Sequence, residues 1–417
     1  MATETALAAP KLRVVRPGEL SPAAAKARIE RSQRRVLGTL AVSASALMLI
    51  GLVMVLSASS VTAFAEYGSS FLFFKRQLLY ALLGTGGAIV ASRVRHQLWQ
   101  RISLPLVIGV LVLLALVLHP SIGVVAGGAT RWLAFGPVSI QPSEAAKLVA
   151  VAATASILTR HLDHIEEPMR WIVPLVLVVG LMTVLILLQP DLGTAMVIGA
   201  SIFLLLFVAG VRLWMLGASA VFFGLVGTAL VFGEGYRRTR LLSFFHPWAD
   251  PRHTGYQVVQ SLIALGSGRL VGVGLGASRQ KWMYVPNAHT DFIFSILGEE
   301  LGLLGELVVL ALFGAFLYAG IRIALRAPDA FGRLLAAGIT GWLGVQTLVN
   351  LGAVTGLLPI TGVPLPFLSF GGSALVVSLT ATGILFSIGR AGLARTAVNP
   401  TKPRRSRTLS QRQAPQR

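Results

Sequence analysis

The sequence predicts an all-α integral membrane protein with about ten transmembrane helices and a large extracytoplasmic loop between spans seven and eight. Two numbers support this class: 54% of the 417 residues are hydrophobic, and only 12% are charged. A soluble domain carries roughly twice that charged fraction. Apolar runs close to the length that crosses a bilayer also recur along the chain. The absence of cysteine excludes disulfides, thiolate catalysis and cysteine metal ligands.

The apolar runs place the membrane domain at residues 36–392. It lies between two basic tails, 1–35 and 393–417, which we expect to be disordered and cytoplasmic. The predicted spans are 36–57, 77–93, 103–119, 143–160, 171–189, 191–209, 212–232, 291–325, 333–352 and 371–392. The eighth run exceeds the roughly 20 residues that cross a bilayer, so it must tilt, kink or protrude.

The net charge of +20 is mostly a topology signal. With the amino terminus inside, the even-numbered loops are cytoplasmic and carry many arginines, as the positive-inside rule requires. The charge is therefore no reason to expect a nucleic-acid partner. A basic run before the first span, formed by Arg28, Arg31, Arg34 and Arg35, anchors this orientation and could also touch anionic lipid headgroups.

The loop at 233–290 is basic although it lies outside. Long loops translocate regardless of charge, and loops of this length are usually functional. Its segment 256–265 is mildly amphipathic and suits the membrane interface; a solvated loop lying on anionic lipid is the alternative. The glycine-rich run 266–276 lacks the strand and helix of a nucleotide-binding unit, so we reject that function.

This loop leads into HTDFIFSILGEELG, residues 289–302, where one histidine and three carboxylates open an apolar segment. At 3.6 residues per turn, Asp291 and Glu299 fall on a stripe of small and polar residues. A carboxylate facing lipid costs at least a few kcal/mol, so the stripe should face protein or a wet cavity. The structural alternative is a helix cap at Thr290, with Asp291 in the first turn.

Two other helix starts carry polar and ionisable groups. RWLAFGPVSIQPSEAAKL places Arg131 and Gln141 before the fourth span, and puts Glu144 and Lys147 on one helix face, where they can pair. In QPDLGTA, helix capping and a functional role are about equally supported for Asp191.

By the predicted topology, these groups meet at the extracytoplasmic face together with the proline-rich loop, LPITGVPLPFLSFGGS at 358–373. An irregular loop at membrane depth must line a cavity or be covered by protein. Cations there suit a phosphorylated lipid headgroup, and a carboxylate at a cavity mouth suits a general base. Residue patterns alone thus indicate a membrane protein that handles an anionic lipid, or carries a solute, at the outer leaflet.

The three stretches and the proline-rich loop, together with GYQVVQSLIALGSG, resemble the SEDS family (shape, elongation, division and sporulation) over residues 36–392. ASRQKWMYVPNAHTDF and YGSSFLFFKRQ are closer to its division branch than to its elongation branch. Two residues depart from the pattern: Asn287 stands in place of a glutamate, and Thr361 in place of the lysine of some division members.

The resemblance implies a peptidoglycan glycosyltransferase that polymerises lipid II into β-1,4 glycan strands and releases undecaprenyl diphosphate. It implies that Asp291 is the catalytic residue, which we interpret as a general base. It places the protein in the bacterial cytoplasmic membrane at the division septum, with both termini cytoplasmic. The implied partners are a class B penicillin-binding transpeptidase, activator proteins of the division complex and membrane lipids.

A diphosphate leaving group requires positive charge nearby. The candidates are Arg131, Lys147, Arg240 and Lys281, assisted by a divalent cation such as Mg²⁺ or Mn²⁺; no tightly bound cofactor is expected. The other expected substrate-site residues are Gln141, Glu144, Asp191, His289, Glu299 and Glu300. Glu144 can hold Lys147, and the last two can tune Asp291 or pair with cations. A lipid II flippase and a non-catalytic scaffold of the division complex are the alternative functions.

Overall fold

The computed structural model describes residues 22–126, 129–136, 138–233, 235, 244–282 and 284–398. Arg240 and most of both predicted tails lie outside this part of the chain. The helices are α1 (Pro22–Tyr67), α2 (Leu72–Arg93), α3 (His96–Arg101), α4 (Ser103–Val117), α5 (Pro142–Arg160), α6 (Pro168–Leu175), α7 (Leu181–Leu188), α8 (Leu192–Ala209), α9 (Leu213–Phe232), α10 (Tyr256–Ser267), α11 (Ile293–Leu325), α12 (Ala330–Val354) and α13 (Gly372–Val398).

Helices occupy the places of all ten predicted spans, with α6 and α7 forming one span through the π-helical turn Val176–Gly180. Within the described residues, six helical segments are long and apolar enough to cross a membrane. They are Glu30–Tyr67, Pro168–Leu188, Leu192–Ala209, Ile293–Leu325, Ala330–Val354 and Gly372–Leu393. The class of helical membrane protein is therefore confirmed, while the count of ten spans stays a prediction.

The first helix begins at Pro22, inside the segment that we expected to be a disordered tail up to residue 35. The residues that follow Pro22 are mostly Ala, Arg, Lys and Glu, which are strong helix formers. Proline is favoured in the first helical turn. Joined to an apolar span, such a sequence extends the helix although it has no apolar period of its own.

A small antiparallel sheet lies between α4 and α5, and the sequence patterns did not predict it. Its strands, in spatial and chain order, are β1 (Gly123–Ala126), β2 (Ala129–Phe135) and β3 (Val138–Ile140). The turn between β2 and β3 contains Gly136 at φ +61°, a conformation that favours glycine. Strands this short offer too few alternating positions to be recognised in a largely apolar chain.

Two helix pairs make the most extensive contacts: α2 packs along α13, and α1 packs along α11. A Cβ added at Gly383 in α13 would lie 2.2 Å from the Ala88 carbonyl oxygen in α2, so glycine permits this close approach. The helix α12 packs on α11, α8 and α5, and its Trp342 is fully buried.

The long helix α11 is interrupted at Gly302, which has φ +66° and ψ −170°. The amide of Leu303 donates to the Arg269 carbonyl at 2.9 Å. A Cβ added at Gly302 would lie 2.3 Å from the Gly272 nitrogen. The glycine-rich run 266–276 therefore packs against the break in this helix, which gives the run a structural role.

The amphipathic segment forms the helix α10, as predicted, and one of its faces is buried by protein. Ser261 lies on that face, with its hydroxyl 2.8 Å from the Ser295 hydroxyl in α11. The Ser261 hydroxyl also donates to the Val354 carbonyl at 2.6 Å. The segment that contains α10 is therefore bonded to α11 and to the end of α12.

Candidate active site

Asp291 lies directly before α11, and its side chain is partly exposed. The helix begins at Ile293 with Phe292 as its N-cap, and Thr290 donates its hydroxyl to the Asn287 carbonyl at 3.1 Å. The structural alternative, a cap at Thr290 with Asp291 in the first turn, is therefore wrong, because Asp291 precedes that turn. Asn287 has φ +56°, which asparagine tolerates better than most residues and which accounts for asparagine at this position.

Asn350 of α12 fixes the backbone at Asp291. Its side-chain amide donates to the main-chain oxygens of Asp291 and Val363, each at 2.8 Å. One side chain thus ties the start of α11 to the proline-rich loop. On that loop, a Cβ added at Gly362 would lie 3.6 Å from Asp291 Oδ2, so a residue without a side chain faces the carboxylate.

Lys147 is buried, and protein groups surround its ammonium. The ammonium donates to Glu144 Oε1 and to Gln346 Oε1, both at 2.8 Å, and lies 5.7 Å from the centre of the Trp342 ring. Gln346 donates in turn to the Pro364 carbonyl at 2.9 Å. The predicted ion pair with Glu144 is present, and its geometry supports the proline-rich loop.

Asp191 is the N-cap of α8, which is the structural alternative stated above. Its carboxylate accepts bonds from the Thr194 amide at 3.1 Å and the Thr194 hydroxyl at 2.9 Å. Gln141 and Ser143 each donate to the same carboxylate at 3.4 Å. The structure therefore brings Gln141 and Asp191 together, as predicted, within a capping network.

The capped end of α8 supports the proline-rich loop. A Cβ added at Gly193 would lie 2.3 Å from the Thr361 carbonyl oxygen, so only glycine permits this contact. The main-chain amide of Gln141 donates to the Ser373 hydroxyl at 2.9 Å, near the end of the loop. Both Asp191 and Asp291 are thus linked to the proline-rich loop, through different segments of the chain.

Arg131 of β2 is partly buried and joins the sheet to the turn between α7 and α8. Its guanidinium donates to the Gln189 carbonyl at 3.0 Å and also to the Pro190 carbonyl. A guanidinium has five N–H donors, so these two bonds leave donors for an anion. Arg131 is therefore held at the junction of α7 and α8 with some of its N–H donors unused.

Glu299 and Glu300 of α11 bind the segment 278–281, near the end of the loop at 233–290. Glu299 accepts a bond from the Ser278 hydroxyl. Glu300 accepts one from the Ser57 hydroxyl of α1 at 2.6 Å and lies 3.8 Å from the Lys281 ammonium. The predicted pairing of one of these glutamates with a cation is therefore present, between Glu300 and Lys281. Both carboxylates and Lys281 are buried, and all three groups contact protein.

His289 is packed between aromatic rings. Its ring centroid lies 4.7 Å from that of Phe73 in α2 and 5.6 Å from that of Phe370 in the proline-rich loop. The Phe370 amide donates to the His289 carbonyl at 2.8 Å. Burial lowers the pKa of His289 to about 4, so its imidazole is neutral near pH 7.

A cavity of about 230 Å³ adjoins this aromatic cluster. Its lining residues are Arg76, Tyr80, Val124, Trp132, Ala134, Ser139, Phe370 and Gly372.

The sequence analysis gave no role in the site to Arg76, Asn350 or Gln346. For Arg76 the available signal was a cation at the edge of the second apolar run. Asn350 and Gln346 gave no signal beyond being amides inside a span, because their partners lie in other elements.

Within the described residues, no group of three His, Asp or Glu side chains is placed to hold a metal ion. A resident Mg²⁺ or Mn²⁺ normally takes several oxygen ligands. Mg²⁺ is usually held by one or two carboxylates together with substrate phosphates, so a divalent cation at Asp291 stays a prediction.

The fold and the site together define a multi-pass helical membrane protein whose candidate catalytic group is one aspartate beside a rigidly supported loop. Residues 38–392 match the family model described as cell cycle protein, the FtsW, RodA and SpoVE family. The chain belongs to this family, which is the SEDS family that the motifs resemble.

Similar proteins include a probable peptidoglycan glycosyltransferase FtsW of Geobacter metallireducens, 43% identical over 346 residues, which covers 83% of this chain and 92% of the relative. The stage V sporulation protein E of Bacillus subtilis is 44% identical over 348 residues, which covers 82% of this chain and 94% of the relative. The rod shape determining protein RodA of Thermus thermophilus has a similar structure, with a TM-score of 0.62, 30% identity and coverage of 84% and 95%. A second similar structure is a chain from work on the structural coordination of polymerization and crosslinking by a peptidoglycan synthase complex. Its TM-score is 0.70 and its sequence identity 31%, and the match covers 85% of this chain and 97% of that chain.

Proposed function

We propose that this chain polymerises lipid II into peptidoglycan glycan strands during cell division, with Asp291 as the general base. The protein is a peptidoglycan glycosyltransferase of the SEDS family, as its relatives named FtsW are. The observation that carries the role of Asp291 is its setting. It is a partly exposed carboxylate at a helix start, with its backbone held by Asn350 and a glycine facing its oxygen.

In the proposed step, the Asp291 carboxylate takes the proton of the acceptor sugar 4-hydroxyl. The 4-oxygen attacks the anomeric carbon of the donor, and the new glycosidic C–O bond forms with inversion. The bond from the anomeric carbon to the phosphate oxygen breaks, and undecaprenyl diphosphate leaves with the electron pair. A positioned base of this kind typically contributes about 10²–10⁴-fold.

The leaving diphosphate needs cations that are accessible. Arg76 lines the cavity beside the His289 cluster, and Arg131 has unused donors. Lys147 and Lys281 are buried and paired, which suits a positioning role. In this proposal the chain crosses the membrane ten times with both termini cytoplasmic, and the site faces outward.

The proposed partner is a class B penicillin-binding transpeptidase at the division septum, together with division activators. The support is the similarity to a chain from a peptidoglycan synthase complex that coordinates polymerization and crosslinking. Polymerised glycan emerging at the outer face is the substrate that a crosslinking enzyme requires.

The experiment is glycan synthesis from defined lipid II by the purified full chain, alone and with its transpeptidase partner. Asp291→Asn should lower kcat about 10²–10⁴-fold while leaving folding intact. Asp163→Asn, an exposed aspartate in the 3₁₀ turn after α5, is the control and should retain the parent rate. Polymerisation by Asp291→Asn at the parent rate would contradict the role of Asp291.

A second arm tests binding of the diphosphate. Arg76→Gln should raise KM about 10–100-fold, because a hydrogen bond to a charged group is worth roughly 1.5–3 kcal/mol. Lys75→Gln, the exposed neighbour, controls for surface charge. Movement of labelled lipid II across vesicles without glycan product would indicate the flippase, and full complementation by Asp291→Asn in cells would indicate the scaffold.

A further inference from the structure

A basic cleft of about 450 Å³ lies between the early part of α1 and the later part of α11, toward the end of α11 opposite Asp291. Its lining residues are Arg28, Arg31, Ser32, Arg35, Val36, Thr39 and Tyr318. The α1 members recur at helical spacing and form one face of the helix. The proposed polymerase reaction uses none of them.

The arginines of this cleft have no acidic counterparts nearby. Within the part of the chain that the structure describes, no carboxylate forms an ion pair with Arg28, Arg31 or Arg35. Glu30 is the nearest acidic residue in the sequence, and its helical position places it on the opposite face of α1. Arg34 lies on that opposite face too, so the helix sorts its arginines between two faces.

The end of α11 adds two further cations. Arg326 donates from both terminal nitrogens to the Ser32 hydroxyl, at 3.2 and 3.3 Å, which ties α11 to α1 beside the cleft. The Arg322 guanidinium lies 5.9 Å from the centre of the Tyr318 ring, and its Nε is buried without a hydrogen-bond partner among the described residues. Burial, and then the charge of Arg322, lower the pKa of Arg326. Positive charge is therefore concentrated here without compensation.

The face of α1 that lines the cleft continues as an exposed apolar surface. Val42 and Leu49 follow Arg35 at intervals of seven residues, which places them on the same side of the helix, and they are 67% and 57% exposed. A ligand seated here therefore meets guanidinium groups at one end and an apolar path along the membrane at the other. The guanidinium groups suit the phosphate headgroup of a phospholipid, and the apolar path suits its acyl chain.

We propose that this cleft binds the phosphate headgroup of an anionic phospholipid in the cytoplasmic leaflet. The leaflet rests on the topology given under the proposed function. Guanidinium groups bind phosphate oxygens through paired N–H donors, and Arg31 and Arg35 are accessible for this contact. An acyl chain then lies along Val42. Basic pockets between membrane helices at the cytoplasmic side are suited to such headgroups.

The experiment is a native mass spectrometry titration of the purified full chain with phosphatidylglycerol and, separately, with phosphatidylcholine. The cleft variant is Arg31→Gln/Arg35→Gln. The matched control is Arg34→Gln/Arg93→Gln, which removes two exposed positive charges outside the cleft. The cleft variant should bind phosphatidylglycerol about 30-fold more weakly, since each basic residue near an anionic headgroup contributes roughly fivefold. The control should change less than about threefold, and phosphatidylcholine should bind both variants and the parent alike.

Equal weakening in both double variants would overturn the proposal, because general surface charge would then explain binding. Unchanged binding in the cleft variant would overturn it too. Displacement of phosphatidylglycerol by excess inorganic phosphate would show a free-phosphate site and overturn the assignment to lipid. If the double glutamine variant does not fold, Arg31→Lys/Arg35→Lys takes its place in the titration. This variant keeps the charge and should bind the lipid with intermediate affinity. The titration needs no glycan synthesis, so its outcome is independent of the polymerase assay.

Discussion

Asn350 donates a side-chain hydrogen bond to the main-chain oxygen of Asp291 at 2.8 Å, and the same nitrogen reaches the Val363 carbonyl at 2.8 Å. The support of the candidate base therefore acts through its backbone and is shared with the proline-rich loop. Two segments that are far apart in sequence are held in register by one buried amide. In a site that depends on positioned groups, such a link sets the geometry of the reaction.

Replacing Asn350 with alanine should lower kcat about 10–100-fold with a small change in KM, because a shift of about 1 Å in the base is enough for such a loss. Steady-state polymerisation of lipid II measures both constants. Thr347→Ala is the control, since this buried hydroxyl one turn earlier donates to Leu343 in its own helix. A parent-like kcat for Asn350→Ala would show that the amide does not position Asp291.

Lys147→Met should lower the apparent melting temperature strongly. It leaves the Glu144 carboxylate buried without its cation, and breaking a buried pair in this way costs about 3–5 kcal/mol. The double variant Glu144→Gln/Lys147→Met removes both charges and should recover much of that stability. A raised KM with an unchanged melting temperature would show instead that Lys147 contacts the substrate directly.

His289 should make the parent protein less stable in acid. Its pKa is about 4 in the folded state against 6.5 when exposed, so above pH 6.5 both states are neutral and it has no effect. As the pH falls from 6.5 toward 4, the unfolded state binds a proton that the folded state does not. The parent should lose up to ~3 kcal/mol over this window.

Melting temperatures measured between pH 4 and 7 test this effect. His289→Phe removes the titrating group and retains an aromatic ring beside Phe73 and Phe370. The difference between parent and variant should grow below pH 6.5 and level off near pH 4. Parallel pH curves for the two proteins would contradict a buried neutral imidazole.

Gly302→Ala should destabilise the junction of α11 with the glycine-rich run. The new methyl group would meet the Gly272 nitrogen at 2.3 Å in a backbone conformation that disfavours side chains, at a cost of about 2–4 kcal/mol. Limited proteolysis within 266–281 and the melting temperature report the change. Gly314→Ala in the same helix is the control, since a Cβ there meets nothing within 4 Å. Equal behaviour of the two variants would contradict the role of the break.

The sequence predicted the helices well because each apolar run carries its own signal. The Glu144–Lys147 pair also followed from local spacing, and the excess length of the eighth run indicated that it must tilt, kink or protrude. The roles of Glu300 and Lys147 did not, because their partners Ser57 and Gln346 lie in distant elements. A buried charge whose partner lies far along the chain is indistinguishable, in one sequence, from a charge that awaits a substrate.

The break at Gly302 also divides α11 into two helical sections of unequal length. The section 303–325 contains about 23 residues and is roughly 35 Å long, close to the hydrocarbon thickness of a bilayer. The length of 303–325 alone thus suffices for a crossing, and the roughly nine residues before the break form a separate section that is covered by protein. Glu299 and Glu300 are tolerated in that section because both carboxylates are buried against protein groups and accept hydrogen bonds from them.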